Sequence, residues 1–389
     1  MVLPITAAAS SPSLPALPSA VLAQPRGLDP RLPRLTAVTA SPLRLSPYPL
    51  SYTLRWPWYF HRPSIRNHTD LVALPRRVER AGVPAQRKLR LCAVGDIMVI
   101  QRDRVPRLDP ALVSLLSSAD LIVGTCEAAI ARPDCDPAAS YQFVFNMPAG
   151  FLRGILEQSG APPERWVLSV ANNHAGDCGP DGLASTVRYL RSLGVHPTGA
   201  RIEGQPPFTV IEREGVRIGI AAWTQWFNLP EPRAWQHSEI SSLPWRDLRA
   251  ADRLDCLVGS SHWEYEWQHF PRAESRALAR QLGNAGFDLI IGSHPHVLQP
   301  LEWIDRTLCA YSLGNFCSGI GPAWPARMCN VLSVELGTEG PDRGKVVGYE
   351  VHLFVQVDDG ERVSLVPLDA APEPLRTKIA DRAAIVLPP

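Results

Sequence analysis

Short apolar runs that end in polar residues recur along the chain from residue 88 onward. Runs of β-branched residues and leucine bounded by glycine are typical of buried parallel strands. Five runs end in a carboxylate, an amide or an imidazole: 91–94 before Asp96, 120–124 before Glu127, 166–171 before Asn172, Asn173 and His174, 257–261 before His262, and 288–291 before His294 and His296. Because open α/β sheets bind ligands outside the carboxyl ends of their strands, the pattern predicts one polar site at a sheet edge.

Helical and alternating patterns occupy the sequence between and after these runs. The predicted elements are a helix over 181–193, a helix over 271–287, a β-hairpin formed by 208–211 and 216–222, and strands over 331–335 and 345–357. The first helix has Leu183, Val187 and Leu190 at helical spacing and ends before Gly194, a favoured C-cap residue. The chain is therefore predicted to be α/β, with one large sheet or with two sheets face to face between helices.

The first 86 residues differ in composition from the rest of the chain. They are rich in proline, serine and arginine, and Asp29 is the only acidic residue before Asp70. Prolines at intervals of a few residues forbid regular helix and remove the backbone donors that a strand needs. We therefore predict a largely disordered leader over 1–86, a domain over 87–358 that folds without it, and a C-terminal tail over 359–389.

The leader allows more than one interpretation. Its arginine-rich, acid-poor composition is also that of an organelle transit peptide, but prolines break the amphipathic helix that such peptides need. A signal peptide is not favoured, because the first residues lack a basic region, and a wrongly chosen start codon is a third interpretation. Its aromatic residues, Trp56, Trp58, Tyr59 and Phe60, are predicted to belong to a partly folded extension packed on the domain rather than to a partner-binding patch.

Charge, hydropathy and cysteine content narrow the function classes. The 39 basic and 38 acidic residues give a net charge of +1, which provides no electrostatic case for nucleic-acid binding. No run of about 20 apolar residues exists, so no integral membrane segment is predicted. The eight cysteines show no C-x-x-C spacing, and scattered cysteines favour a reducing compartment. A cytoplasmic location follows, although export by an atypical leader stays open.

Five motifs then appear in a recognisable order. They are Gly-Asp-Ile-Met at 95–98, Ala-Asn-Asn-His at 171–174, His-Trp-Glu-Tyr-Glu at 262–266, Gly-Ser-His-Pro-His-Val-Leu-Gln at 292–299, and Tyr-Ser-Leu-Gly-Asn-Phe at 311–316. This set resembles the CapA-type capsule-synthesis proteins, a family associated with poly-γ-glutamate biosynthesis. The resemblance covers roughly residues 88 to 320 and implies a calcineurin-like metallophosphoesterase fold, an αββα sandwich.

The resemblance also implies roles for individual residues. The implied metal ligands are Asp96, Glu127, Asn173, His262, His294 and His296, and His174 is implied to protonate the leaving group. The residues expected to support these or to contact substrate are Asn172, Glu266, Gln299 and Asn315. Met98 stands where metallophosphoesterases commonly have a histidine, so one imidazole is missing from the first metal. The chain also departs from the family pattern with Thr125 in place of asparagine and Glu264 in place of glycine.

Local geometry supports these roles, and each residue also has an ordinary interpretation. Gly95 is expected to let the backbone turn sharply and aim Asp96 into the cleft. His294 and His296 are alternate residues, which point to the same side of an extended chain. Asp96 could instead cap a helix, Glu127 could be a surface residue of a loop, and His174 could simply lie in the turns before the next helix.

The expected chemistry follows from the ligand types. Nitrogen and oxygen ligands without thiolate suit Zn, Mn, Fe or Ni, bound as one or two divalent ions. The resemblance implies metal-assisted hydrolysis of phosphoesters, with a small molecule or an acidic polymer as substrate. Two alternatives remain at this stage, a non-catalytic accessory that binds an envelope polymer and a hydrolase of γ-glutamyl amides.

Overall fold

Strands and helices alternate through the part of the chain that the computed structural model describes, residues 38–39, 48–79, 84, 88–99, 104–130, 144–200, 208–228, 243–319 and 324–389. The strands are β1 (Val38–Thr39), β2 (Arg77–Glu79), β3 (Lys88–Ile97), β4 (Arg107–Leu108), β5 (Leu121–Cys126), β6 (Ala129–Ile130), β7 (Asn146–Met147), β8 (Trp166–Ser169), β9 (His196–Thr198), β10 (Phe208–Arg213), β11 (Val216–Thr224), β12 (Trp226–Phe227), β13 (Cys256–His262), β14 (Leu289–Ser293), β15 (Leu301–Ile304), β16 (Thr307–Ala310), β17 (Asn315–Cys317), β18 (Met328–Gly337), β19 (Val346–Asp358) and β20 (Val363–Pro367). The helices are α1 (Leu50–Thr53), α2 (Trp56–His61), α3 (Pro110–Ser117), α4 (Ala149–Gln158), α5 (Gly179–Ser192), α6 (Trp245–Ala251), α7 (Ala273–Ala285) and α8 (Leu375–Val386).

Two sheets contain most of the strands. The first has the order β4-β20-β19-β18-β3-β5-β8-β9, with β17 paired to β3 and β2 paired to β19. In it β3, β5, β8 and β9 are parallel neighbours, whereas β18 is antiparallel to β3 and β19. The second has the order β10-β11-β13-β14-β16-β15, with a parallel centre and antiparallel edge strands.

The apolar runs are continuous because each central strand is covered on both faces. Along β3, Leu89 and Leu91 enter the core between the two sheets, while Cys92 and Val94 enter the core that α3, α4 and α5 cover. A third core lies between the second sheet and helices α6 and α7. The layers are thus helices, sheet, sheet and helices, and the predicted αββα sandwich is confirmed.

The predicted secondary structure matches the observed elements to within a few residues. The helix predicted over 271–287 is α7, which ends at Gly286 in the left-handed conformation, φ 102°. Strands β10 and β11 form the predicted hairpin, and Glu214 and Gly215 both have positive φ in its turn. Positive φ at both central residues is typical of the turns that join two strands directly.

Gly95 and Gly292 lie where another backbone passes at contact distance. A Cβ atom on Gly95 would lie 2.0 Å from the carbonyl oxygen of Gly314, and one on Gly292 would lie 1.9 Å from that of Tyr311. Gly95 is inside β3, which continues through Asp96 to Ile97. The prediction that Gly95 makes a sharp turn is therefore wrong, and the close approach of residue 314 explains the glycine.

We expect Gly292→Ala to lower the free energy of unfolding by at least roughly 1–3 kcal/mol, the usual cost of overpacking, because the added Cβ meets backbone that cannot rotate away. Gly150→Ala in α4 is the matched control, since a Cβ there has nothing within 4 Å. Alanine favours helix over glycine, so the control should be neutral or slightly stabilising. Denaturant titrations measure both effects, and equal stability of the two variants would contradict this account.

Residues 48–79 of the predicted leader are folded onto the domain. Trp56, Tyr59 and Phe60 pack against a cluster formed by Trp267, Val297 and Ala326. The segment is ordered because these aromatic side chains bury apolar surface. The spacing of the prolines, from which disorder was predicted, contains no information about this burial. The packed extension is thus the correct interpretation of Trp56, Tyr59 and Phe60, whereas Trp58 is 62% exposed. Residues 1–37 and 40–47 lie outside the described residues, so their disorder stays a prediction.

The last residues of the chain also belong to the sandwich. Strand β20 pairs with β19, and Ile379, Ala383 and Val386 of α8 enter the core between the sheets. The segment 359–389 therefore covers apolar surface of the domain that precedes it. Among the described residues, none of the helices combines the length and the hydropathy that crossing a bilayer requires.

One cysteine departs from the expectation drawn from spacing. Six of the described cysteines are free and buried, whereas Cys178 is disulfide-bonded. The absence of C-x-x-C spacing does not exclude a disulfide, because its two cysteines can be distant in sequence. The inference of a reducing compartment rested on unpaired cysteines, and for Cys178 that premise is wrong.

Candidate metal centre

The carboxyl ends of the central strands of both sheets meet at one place. The hydroxyl of Thr125, on β5 of the first sheet, donates to Ser293 Oγ on β14 of the second sheet at 3.2 Å. Asp96 lies near the end of β3, and His262 is the last residue of β13. The structure thus brings the polar residues that follow the apolar runs to the shared edge of the two sheets.

Glu127 lies at the centre of this cluster. Its Oε1 is 3.7 Å from Nε2 of His262, 3.8 Å from Nε2 of His296 and 4.0 Å from Nε2 of His174. It belongs to two groups whose ligand atoms all lie within 4.8 Å of one another, one with His294 and His296 and one with Asp96 and His262. The side chain is fully buried, so the alternative of a surface glutamate is excluded.

Asp96 joins the two sheets through its carboxylate. Its Oδ2 accepts the backbone N–H of His294 at 3.0 Å, and its Oδ1 lies 3.7 Å from Nδ1 of His262. Because Asp96 lies inside a strand, it does not cap a helix. Met98, two residues later, is buried in the core, so this chain has a thioether where the first metal commonly has an imidazole.

The buried polar atoms of the cluster fit a divalent cation. Among the described residues, Asp96 Oδ1, both carboxylate oxygens of Glu127, and His294 Nδ1 have no hydrogen-bond partner. Leaving buried carboxylate oxygens unpaired is costly unless a cation satisfies them. A divalent ion bound to these atoms supplies the missing positive charge.

The pKa shifts of the cluster also fit a site for a divalent cation. Burial raises the pKa of Asp96 to about 7 and raises that of Glu127 well above its usual range. Burial lowers the pKa of His296 to about 4 and lowers the pKa values of His262 and His294 well below their usual range. The three imidazoles are therefore neutral at pH 7, which is the form that binds metal.

A hydroxyl fixes the orientation of the His262 ring. Ser293 Oγ lies 2.9 Å from His262 Nδ1 and 3.3 Å from the carbonyl oxygen of Ser261, so the hydroxyl holds the Nδ1 side of the ring. Nε2 faces Asn173 Oδ1 at 2.8 Å on the side of the cluster. A cation bound to Nε2 and Oδ1 would replace this direct contact. Thr125, which stands where the family has asparagine, helps to hold this serine in place by donating a hydrogen bond to Ser293 Oγ.

The other two imidazoles of the cluster are held in the same manner. Nδ1 of His296 donates to Asn315 Oδ1 at 2.9 Å, and the Asn315 amide in turn donates to the carbonyl of Ala326. Nε2 of His294 lies 2.7 Å from the hydroxyl of Tyr48. Each ring thus has one nitrogen bound to a neighbour and the other directed into the cluster.

His294 and His296 reach the cluster from a turn. Their φ angles are 94° and 56°, so neither residue is extended. The prediction that the two side chains share one side because the chain is extended is therefore wrong, although both rings do lie in the cluster. Left-handed backbone at bulky residues is strained and tends to occur at functional sites.

His174 lies beside the cluster with its own carboxylate partner. Its Nδ1 is 2.7 Å from Asp177 Oδ2, and its ring stacks on Phe145 with 3.9 Å between centroids. Nε2 faces Glu127 and also accepts from Asn228 Nδ2 at 3.3 Å. A carboxylate behind Nδ1 and an Nε2 that faces the cluster are the arrangement of an acid–base histidine.

Asn172 fixes the backbone at this point. Its Oδ1 accepts the backbone N–H of His174 at 3.0 Å, which is the predicted Asx-type bond, and its amide donates to the carbonyl of Cys126 at 2.8 Å. The side chain therefore ties the loop after β8 to the end of β5. This bond keeps His174 and Glu127 on neighbouring loops.

Three remaining residues of interest lie further out. Glu266 is half-buried and accepts hydrogen bonds from Tyr48 and Trp56, and Tyr48 connects it to His294. The Gln299 amide donates to the carbonyl of Gln268 rather than to a candidate ligand. Glu264 has a φ of 71°, which explains the family's glycine at this position.

The carboxylate of Glu264 does not enter the cluster. It is buried and binds both the backbone N–H and the guanidinium of Arg272, with Nε at 3.2 Å. The added charge at this position is therefore neutralised inside the protein. It neither faces solvent nor changes the charge of the metal centre.

Sequence reasoning did not assign a role to four residues that contact the cluster: Tyr48, Asp177, Asn228 and Ser293. Asp177 could have been found, because a carboxylate three residues after a histidine is within reach of the ring in a turn. Ser293 lies inside the Gly-Ser-His motif, and its hydroxyl was overlooked beside two histidines. Tyr48 and Asn228 carry no local signal, since their partners lie far away in sequence.

A family model described as bacterial capsule synthesis protein PGA_cap matches residues 90–319, more than half of the chain. The PGA biosynthesis protein CapA of Bacillus subtilis (strain 168) is 30% identical over 197 residues, which are 48% of this chain and 51% of that protein. The capsule biosynthesis protein CapA of Bacillus anthracis is 29% identical over 161 residues, 39% of each protein. The chain spans about half the length or less of these relatives.

Among solved structures, a phosphatase from Mycoplasma pneumoniae aligns with a TM-score of 0.43 and 14% identity. The alignment covers 70% of this chain and 95% of that one.

Proposed function

Because the chain belongs to the bacterial capsule synthesis protein family PGA_cap, we propose that it is a metal-dependent hydrolase of phosphoesters that serves the synthesis of a capsule or poly-γ-glutamate polymer. The observation that supports this most directly is the position of Glu127. Its carboxylate is shared by two groups of buried ligands, and neither of its oxygens has a hydrogen-bond partner among the described residues. A carboxylate shared in this way suits a bridge between two cations.

The residues that would hold the cations are Asp96, Glu127, Asn173, His262, His294 and His296. They provide oxygen and nitrogen atoms without thiolate, which favours Mn, Zn, Fe or Ni, with one or two ions bound. When bound, a divalent cation supplies Lewis acidity and a nucleophile at neutral pH. The surrounding residues bind the ligands and exclude water.

In this proposal His174 donates a proton to the oxygen that leaves. Its Nδ1–H is held by Asp177, so Nε2 is directed towards Glu127 and the substrate. The Asp177 carboxylate orients the ring through Nδ1, and the stacked Phe145 restricts its rotation. These contacts separate the acid from the ligand set, because His174 belongs to neither of the two ligand groups around Glu127 in the described structure.

The nature of the substrate rests on the relatives. Two of them are named for biosynthesis of PGA or of a capsule, which favours an acidic polymer or a phosphorylated intermediate of its assembly. A hydrolase of γ-glutamyl amides would use the same site, and a non-catalytic accessory would bind metal or polymer there without turnover.

Elemental analysis of the purified full chain, combined with a substrate panel, tests the proposal. We expect one or two equivalents of a divalent metal and turnover of phosphomonoesters or phosphodiesters. Cleavage of γ-glutamyl peptides alone would make the protein an amide hydrolase. Bound metal without turnover of either class would favour the accessory role, and failure to bind any of the four metals would overturn the proposal.

A further inference from the structure

We propose that Tyr48, which precedes the family-matched region, is a positioning residue of the metal centre that orients His294 and links its ring to the half-buried carboxylate of Glu266. This inference rests on the proposed function, because it assigns Tyr48 a role toward the bound cation. It extends the site beyond residues 90–319, which the family model matches.

The hydrogen bonds of Tyr48 determine which nitrogen of His294 carries the proton. The Tyr48 hydroxyl donates to Glu266 Oε1 at 3.0 Å and lies 2.7 Å from His294 Nε2. A phenol has one proton to donate, so the bond to His294 must run from Nε2–H to the hydroxyl oxygen. The ring is therefore protonated on Nε2 and has its lone pair on Nδ1.

Nδ1 is the nitrogen of His294 that the metal needs. Among the described residues it has no hydrogen-bond partner. His294 also forms one of the two ligand groups around Glu127. Tyr48 binds the opposite nitrogen, so its side chain leaves the ligand atom open and does not act as a plug.

The same arrangement occurs at the two neighbouring rings. Ser293 holds Nδ1 of His262, and Asn315 holds Nδ1 of His296. Partners of this kind fix the tautomer and the orientation of a metal-binding imidazole, and their loss typically lowers metal affinity about 10–100-fold. Tyr48 completes the set, and it alone of the three partners lies outside the family-matched region.

Packing holds Tyr48 in place. It is 6% exposed, and its ring makes edge contacts with Tyr52, Trp226 and Tyr265, each with 5.2 Å between centroids. Trp56 donates to the second oxygen of Glu266. The half-buried carboxylate thus obtains a side-chain donor to each of its oxygens from the N-terminal segment, which couples that segment to the metal centre.

Tyr48→Phe in the full chain tests the proposal, with Tyr52→Phe as the matched control. Tyr52 lies in the same segment, is equally buried and donates to the backbone carbonyl of Glu266, but it does not contact His294. Cobalt titration followed by absorption should show about 10–100-fold weaker binding for Tyr48→Phe. The control should stay within about 3-fold of the parent, since the tautomer of His294 is untouched.

Nitrogen-15 NMR of the metal-free proteins gives a second measurement that a merely structural role would not change. The parent and Tyr52→Phe should show His294 protonated on Nε2, and Tyr48→Phe should lose or shift that signal. Equal loss of cobalt affinity in both variants, a parent ring protonated on Nδ1, or higher activity in Tyr48→Phe would each overturn the proposal. A parent that binds neither cobalt nor any of Mn, Zn, Fe and Ni would contradict the proposed function instead, and the NMR comparison would still decide the contact with His294.

Discussion

Replacing Glu127 by glutamine should remove metal binding and leave the metal-free protein at least as stable as the parent. Glu127 belongs to both ligand groups, so its loss affects every candidate cation position. We expect affinity to fall by more than about 100-fold, beyond the range typical of residues that only orient a ligand. Metal titration by calorimetry measures this change.

Metal-free Glu127→Gln should be at least as stable as the metal-free parent for a separate reason. Burial raises the pKa of Glu127 well above its usual range, because the charged carboxylate loses its hydration without gaining a partner. Glutamine has nearly the same volume and no charge, so the substitution removes this penalty without creating a cavity. Denaturant unfolding in the presence of a chelator isolates the effect.

Glu264→Gln is the control, because Glu264 is equally buried but paired with Arg272. Breaking that pair leaves the guanidinium with the longer ion pair to Glu274, and breaking a fully buried pair costs up to roughly 3–5 kcal/mol. The control should therefore lose stability and keep its metal affinity, the reverse of Glu127→Gln. If Glu127→Gln kept metal bound, or lost as much stability as Glu264→Gln, the assignment of Glu127 as a shared ligand would be wrong.

The sandwich could be predicted because its strands are encoded locally. The run 289–291 is apolar on both faces because both faces of β14 are covered. Polar residues follow this run because the strand ends at the site. The shared edge then follows from the direction of parallel strands. Family resemblance added the assignment of roles, which periodicity alone does not provide.

The local backbone around the site could not be predicted in the same way. Gly95 depends on residue 314, and the left-handed conformations of His294 and His296 depend on the contacts of the folded loop. Neither is visible in the neighbouring sequence. Tyr48 is the clearest example, because it lies 246 positions before His294 in a segment whose prolines favoured disorder.

His174→Ala should slow turnover by about 10²–10⁴-fold while the metal stays bound, the usual contribution of a positioned proton donor. His174 is 4.0 Å from Glu127 through Nε2, but its Nδ1 is held by Asp177 outside both ligand groups. Loss of its ring therefore removes a proton donor rather than a ligand. Single-turnover rates and metal content, measured on the same preparation, test the two properties together.

Two further variants make this assignment specific to His174. His196→Ala is the matched control, since His196 begins β9, at the end of the strand away from the shared edge, and should change neither turnover nor metal content. Asp177→Asn keeps the shape of the partner but weakens the hydrogen bond that orients the ring, so it should slow turnover less than His174→Ala does and keep the metal. Loss of metal from His174→Ala would reassign the residue as a ligand. An unchanged rate in Asp177→Asn would show that the orientation of the ring does not depend on the Asp177 carboxylate.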